Sequence, residues 1–183
     1  GTGYYVARQL DAAPGLEGVT LDVSKNAARV AAKAHLRLAS VTADVRAPLP
    51  LRAGSIDLVL SVFGPRSAAE IARILAPSGS LVVVTPRPEH LGELRDTFSL
   101  LAIGTEKEDR LDAALAPLVL TSRTELDYLV DLARDDVVSS IMMGPNAFHH
   151  ERAEIEALAE SLPDVQPTTV AVTVSRFQRA PGS

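Results

Sequence analysis

The 183 residues contain no cysteine, which excludes both a disulfide framework and a thiolate zinc site within this sequence. Charges interrupt every hydrophobic stretch, so no run is long and apolar enough to span a membrane as a helix. A cytoplasmic protein is the default expectation. Basic charge is also short. Lysine occurs only at Lys25, Lys33 and Lys107, and the formal net charge is -5. A free-standing nucleic-acid binder usually carries a basic face, so this balance counts against RNA or DNA binding by these residues alone. Aromatic residues make up 4% of the chain, so alanine, valine and leucine have to build the core. The length is enough for one domain with a sizeable core.

What is present is organised around the first line. Gly1-Thr2-Gly3-Tyr4-Tyr5 is a glycine-rich turn opening a helix, and Val19-Thr20-Leu21-Asp22-Val23 is a short apolar strand ending in an acid. α/β proteins hold adenosine-containing cofactors in this way. Glycine lets the backbone come close to the ligand, and the acid accepts hydrogen bonds from ribose hydroxyls.

Tyr4 to Ala13 reads as a helix stopped by Pro14-Gly15, and Gly18 to Val23 as a strand. Ser24 caps a helix from Lys25 to His35, and Leu38 to Ala43 is a further strand before Asp44. A Pro- and Gly-rich loop over 45–55 leads to Ile56–Phe63, nearly all apolar, as a strand buried on both faces should be. Gly64-Pro65 breaks it, and Ser67 caps a helix through Leu75. Pro77-Ser78-Gly79 then turns the chain into a strand over Leu81–Thr85. This alternation predicts parallel strands joined by right-handed crossovers.

Beyond it, a helix runs from Pro86–Pro88 to about Leu101, and a charged segment, Gly104 to Arg110, precedes a short helix near Leu111–Leu115. Leu126, Tyr128, Val130 and Leu132 alternate as in a strand. Helices follow from Asp135 or Asp136 to Met143 and from Glu151 to Leu162, and a last strand runs from Val170 to about Phe177.

The order of elements resembles a class I S-adenosylmethionine-dependent methyltransferase whose last two strands form an antiparallel hairpin. Gly1-Thr2-Gly3 resembles the tail of that family's glycine turn, and Asp22 matches its ribose acid. Ala43-Asp44-Val45, followed by Leu49-Pro50, resembles the motif in which an Asp approaches the adenine amino group. Ser55-Ile56-Asp57-Leu58-Val59 and Leu75-x-Pro77-x-Gly79-x-Leu81 resemble the entries to its fourth and fifth strands. A narrower resemblance lies in Asp22-Val23-Ser24-Lys25, Ser61-Val62-Phe63-Gly64-Pro65, Val84-Thr85-Pro86-Arg87-Pro88-Glu89-His90-Leu91 and Met143-Gly144-Pro145-Asn146-Ala147-Phe148-His149. These segments look like the 23S rRNA guanine-N1 methyltransferases, a group that includes enzymes conferring resistance to tylosin-type macrolides.

The resemblance implies a Rossmann-like fold: a mostly parallel sheet with helices on both faces and an antiparallel last strand. It implies S-adenosylmethionine as cofactor, placed by Gly1, Thr2, Gly3, Asp22, Val23, Asp44 and Val45, with Ser61, Val62 and Phe63 beside the methyl group. Asn146 and His149 become candidates for touching substrate, and His90 follows the fifth strand of the family order. 23S rRNA is the expected partner, no membrane is, and a homodimer is allowed. The family's four-cysteine zinc module, its only zinc, and the first strand of its methyltransferase domain are not among these residues. Loss of a central strand would leave buried N–H and C=O groups unpaired, at ~1–3 kcal/mol each against a domain stability of ~5–15 kcal/mol. The expectation is therefore a methyltransferase domain over 1–183 that is truncated on its N-terminal side and belongs to a longer protein. Arg66, Arg87, Arg95 and Arg152 are the cations that would favour RNA. A methyltransferase acting on a small natural product, and a non-catalytic cofactor-binding domain, remain open as alternatives.

Overall fold

A computed structural model of the chain describes residues 1–100, 107–142 and 151–180. It divides into two compact units, one of Gly1–Leu81 with the residues from Gln178 onward, the other of Val82–Phe177.

The first unit opens with α1 (Tyr4–Ala12), β1 (Gly18–Asp22), α2 (Lys25–Ala31) and β2 (Leu38–Thr42). β1 and β2 pair in parallel, with Gly18 opposite Leu38 and Asp22 opposite Thr42. The crossover works because Ser24 caps α2, its hydroxyl accepting from the Ala27 N–H at 3.3 Å. On α2 the small residues Ala28 and Ala31 are the buried ones, which lets the helix approach closely. α1 is held at its far end by Arg37, whose guanidinium donates to the carbonyls of Leu10, Ala13 and Leu16. Those carbonyls close the helix and its Pro14-Gly15 stop, where the Ala13 carbonyl also accepts the Leu16 N–H at 3.4 Å.

β3 (Ile56–Val62) and α3 (Ala68–Ile74) follow, and then β4 (Leu75–Pro86), which starts in the first unit and continues into the second. Pro77-Ser78-Gly79, expected as a turn, falls within β4. The backbone nevertheless doubles tightly there. A Cβ on Gly79 would lie 3.0 Å from the Ala76 carbonyl oxygen and 2.8 Å from that of Ile56.

The second unit holds the end of β4, then α4 (Gly92–Phe98), α5 (Lys107–Ala114), β5 (Leu118–Ala133), α6 (Arg134–Met142), α7 (Arg152–Ala159) and most of β6 (Val165–Arg179). Its helical core joins Leu94 and Phe98 of α4, Val137, Val138 and Ile141 of α6, and Ile155 and Ala159 of α7. Pairing along β6 is antiparallel. Within the first unit Gln178 bonds Ser80, and within the second the Arg87 N–H bonds the Ala171 carbonyl, so one strand's numbers fall as the other's rise. Thr121 and Arg123 of β5 reach Arg176 and Ser175 of β6 in the same sense. The expected antiparallel last strand is therefore present.

The single mostly parallel sheet is not. Among the described residues the strands form two sheets, β1-β2 and β3-β4-β6-β5. β1 and β3 are mainly apolar, yet neither strand has a buried residue, and Leu58 is 45% exposed. The double-sided burial expected of Ile56–Phe63 is thus absent, because β3 is an edge strand with one side unpaired.

Candidate functional site at the strand ends of the first unit

In α/β sheets, ligands sit at the carboxyl ends of the strands. Gly3 ends the opening turn. It is buried and has φ 83, in the left-handed region that glycine adopts without strain. A Cβ there would come within 3.0 Å of Leu38 Cδ2 and 3.2 Å of Ala31 Cα, so the turn is also packed against α2 and β2. Gly1 and Thr2 are exposed.

The Ser24 N–H donates to Asp22 Oδ1 at 2.7 Å. The Asp22 carbonyl accepts from the Ala43 N–H at 3.0 Å, which ties the ends of β1 and β2 together. Asp22 thus stands at the carboxyl end of β1, opposite Thr42 at the end of β2.

The remaining predicted residues lie at neighbouring strand ends. Val23 is 64% exposed just beyond β1. Asp44 follows β2 and turns to its own neighbour: Arg46 donates to it through its backbone N–H at 2.9 Å and through its guanidinium at 3.0 and 3.1 Å. Those bonds hold the Asp44 carboxyl below its ordinary value. Val45 is half-buried. Ser61 and Val62 close β3, half-buried, and Phe63 follows, 51% exposed. Tyr4 and Tyr5 are 60% and 53% exposed at the start of α1. A shallow concavity lined by Lys25, Arg29, Ser40 and Thr42 lies between α2 and β2, and Asp22 does not line it. Asn146 and His149 lie outside the described residues.

Sequence reasoning missed a brace under this site. The Ser67 hydroxyl caps α3 by accepting the Glu70 N–H at 3.5 Å, the first half of a Ser-x-x-Glu capping box. The Glu70 carboxylate does not reach back to Ser67. It accepts the Leu49 N–H at 2.6 Å and pairs with Arg73 at 2.7 Å, and Arg73 also donates to the carbonyls of Leu49 and Leu51. The Arg73 guanidinium, then the Leu49 N–H, lower the Glu70 carboxyl to about 2. This pair fixes the Pro- and Gly-rich loop between β2 and β3. The Ser-x-x-Glu spacing signals the cap, but nothing in the sequence signals the long reach to Leu49.

The cations singled out for RNA are mostly engaged. In the second unit, Arg87 sits among Asp127 at 2.5 Å, Glu125 at 3.2 Å and Glu89 at 3.8 Å. Arg95 donates to the Pro88 carbonyl, and Arg152 pairs with Glu156 at 2.7 Å. His90 accepts the Ala171 N–H on Nδ1 at 3.3 Å, while Glu93 accepts both the N–H and the hydroxyl of Thr169. Two side chains therefore stand in for backbone partners where β4 ends, pinning the segment after β4 to β6. Among the described residues no His, Asp or Glu cluster could hold a metal ion, and no helix is long and apolar enough to cross a membrane.

Comparison with known proteins agrees with this geometry. A family described as "Methyltransferase domain" matches residues 1–83. A 23S rRNA (guanine(748)-N(1))-methyltransferase of Streptomyces fradiae is 41% identical over 174 residues, covering 94% of this chain and 62% of the relative. A provisionally named 23S rRNA (guanine-N(1)-)-methyltransferase of Micromonospora griseorubida is 36% identical, covering 97% and 61%. The crystal structure of a SAM-dependent methyltransferase from Aquifex aeolicus superposes with TM-score 0.57 at 13% identity, covering 97% of this chain and 77% of that one, which shows the class I fold alone. The chain spans about three fifths of the length of the curated relatives it matches. Over that span it is similar to 23S rRNA guanine-N1 methyltransferases.

Proposed function

We propose that the protein containing this chain transfers the methyl group of S-adenosylmethionine to N1 of a guanine in 23S rRNA, in the cytoplasm. The observation that carries the reading is similarity to two such enzymes over 94% and 97% of the chain.

The residues present suit that cofactor. The Asp22 carboxylate, at the end of β1, can accept both ribose hydroxyls. The exposed Val23 side chain offers an apolar face for adenine, and Asp44 lies at the next strand end. Gly1, Thr2 and Gly3 would lie along the methionine portion, Val45 beside the adenine, and Ser61, Val62 and Phe63 beside the methyl group. S-adenosylmethionine supplies an electrophilic methyl on a sulfonium. What the chain supplies is alignment of donor and acceptor and exclusion of water. Guanine N1 carries a proton that must leave, and Asn146 and His149 remain the candidates for contacts on that side.

The domain reading rests on the sheet edges. β1 and β3 are apolar and half-buried, and each has an unpaired side. A further strand seated on those edges would satisfy their N–H and C=O groups and bury their side chains. In this reading 1–183 is the larger part of a methyltransferase domain, and a zinc module elsewhere in the protein supplies much of the RNA grip, consistent with the acidic balance here.

The test is methyl transfer from labelled S-adenosylmethionine to 23S rRNA by the full-length protein. Methylation at N1 blocks the Watson–Crick edge, so reverse transcriptase should halt at one guanine. Label appearing only in small natural-product acceptors would select the small-molecule alternative. No transfer despite cofactor binding would select the non-catalytic one.

A further inference from the structure

The chain is acidic as a whole, with 23 Asp and Glu against 18 Lys and Arg, yet its charge is unevenly spread. From Val23 to Ala43 there is no acid, and Lys25, Arg29, Lys33 and Arg37 fall in that stretch, which holds α2 and β2. Arg37 is engaged by the carbonyls that close α1. Lys25, Arg29 and Lys33 are exposed, and among the described residues none of their side chains has an ion pair or a hydrogen bond. Elsewhere cations find acids, as Arg46 does with Asp44, Arg73 with Glu70 and Arg134 with Asp164. Folding does not account for the row on α2. Lys25 opens the helix, at the end where the helix dipole disfavours a cation. Arg29 lies one turn further on, and like charges at that spacing repel.

The cations border the concavity between α2 and β2. It measures about 320 Å³ and is lined by Lys25 and Arg29 from the helix and by Ser40 and Thr42 from the strand, with the small Ala28 and Ala32 completing it. Ser40 and Thr42 are two apart on one strand, so their hydroxyls share a face. The Thr20 hydroxyl donates to Ser40 Oγ at 3.0 Å, which leaves the Ser40 proton to point elsewhere. Thr42 is exposed, and its hydroxyl has no partner among the described residues. Two cations and two hydroxyl donors thus border a hollow that no acid lines. Lysine, arginine, serine and threonine are the side chains that hold the phosphates of nucleic acids. The row also exceeds what one phosphate needs. Lys25 and Arg29 are about 6 Å apart along the helix axis. Lys33 continues the row in the turn after α2, where its N–H bonds the Val30 carbonyl at 3.0 Å. A row of cations suits a strand that carries one negative charge per nucleotide.

We infer that the face formed by α2 and β2 grips the phosphate backbone of the rRNA through Lys25, Arg29, Ser40 and Thr42, with Lys33 extending the contact along the strand. This rests on the rRNA reading above. It places an RNA contact within an acidic chain, on residues other than Arg66, Arg87, Arg95 and Arg152, the cations singled out from the sequence.

The experiment uses the full-length protein and an rRNA hairpin, with wild type, K25Q/R29Q, K25R/R29K and R52Q. Hairpin affinity is measured over a range of salt concentrations, cofactor affinity by calorimetry, stability by urea denaturation, and methyl transfer with labelled cofactor. Each phosphate contact adds about 0.7–0.9 to the slope of log affinity against log salt. K25Q/R29Q should therefore lower that slope by about 1.4–1.8, and K25R/R29K should keep it. Arg52 is also exposed and without a side-chain partner among the described residues, but it lies outside the concavity, so R52Q should leave the slope unchanged. Glutamine is well tolerated in exposed helix, so stability and cofactor affinity should stay at wild-type values in K25Q/R29Q. An unchanged slope in K25Q/R29Q overturns the inference, as does an equal loss in R52Q, which would make the effect a general attraction between charges. Loss of cofactor affinity in K25Q/R29Q overturns it too, and would give the concavity to the cofactor. A wild-type protein that binds the cofactor but neither binds nor methylates the hairpin overturns the rRNA reading itself, and the inference with it.

Discussion

Three glycines of the first unit separate backbone strain from packing, and their alanine variants should fall in a definite order. Gly15 has φ 92 and nothing within 4 Å of an added Cβ, so Gly15→Ala bears only the left-handed backbone, about 1–2 kcal/mol. At Gly18 no left-handed backbone is involved, but a Cβ would lie 2.7 Å from Val6 Cγ1, 3.1 Å from Leu38 Cδ1 and 3.2 Å from Leu10 Cδ1. Overpacking of that kind costs about 1–3 kcal/mol. Gly3 combines the two, with φ 83 and a Cβ against Leu38 Cδ2 and the Ala31 backbone, so Gly3→Ala should cost roughly 2–5 kcal/mol, the sum of the two effects. The loss of unfolded-state entropy on replacing glycine by alanine is common to all three and drops out of the comparison. Urea denaturation of the purified protein measures each value. Gly3→Ala should also weaken cofactor binding if the turn lies against the ligand as proposed, because that turn has to move, whereas Gly15→Ala should leave it unchanged. A Gly3→Ala protein no less stable than Gly15→Ala would refute the argument that the opening turn is packed as well as bent.

Two further outcomes follow from the charge network. Glu70 is held at about 2 against an ordinary 4.5, so its contribution to stability is fully present above the ordinary value and is lost as pH falls from about 4.5 toward 2. Glu70→Gln should flatten that acid limb of stability against pH, and identical limbs in wild type and variant would show that the brace to Leu49 and Arg73 does not form. Arg87 faces Glu89, Glu125 and Asp127, so Arg87→Ala should leave the salt dependence of rRNA binding unchanged; a slope lower by about 1 would identify Arg87 as a phosphate contact instead.

Much of the first unit was legible because its signals are local. Pro14-Gly15 ends α1, Ser24 caps α2, and the acids expected after β1 and β2 stand where the structure has them. The second unit was read less well, for physical reasons. β5 runs over Leu118–Ala133, far longer than the alternating stretch Leu126–Leu132, because it is an edge strand exposed along most of its length and has no buried face to impose a period on Thr121, Ser122 and Thr124. The helix expected to start at Pro86–Pro88 starts at Gly92 instead. The Arg87 and Leu91 N–H groups bond β6 carbonyls, and the His90 and Glu93 side chains bond β6 N–H groups, and these long-range partners leave no mark on local sequence. The same holds for the reach of Glu70 to Leu49. Phe63 shows the opposite case. The sequence places it at the end of an apolar strand, and only the structure shows that its ring is solvated and its backbone strained.

The central claim is an S-adenosylmethionine site built on Asp22. Calorimetric titration of S-adenosylmethionine into the full-length protein, wild type and Asp22→Asn, tests it most directly. The account predicts saturable one-to-one binding by wild type, weakened in Asp22→Asn by about 10- to 150-fold, the worth of a hydrogen bond to a charged group. Equal affinities would remove Asp22 from the site, and no binding by wild type would contradict the account as a whole.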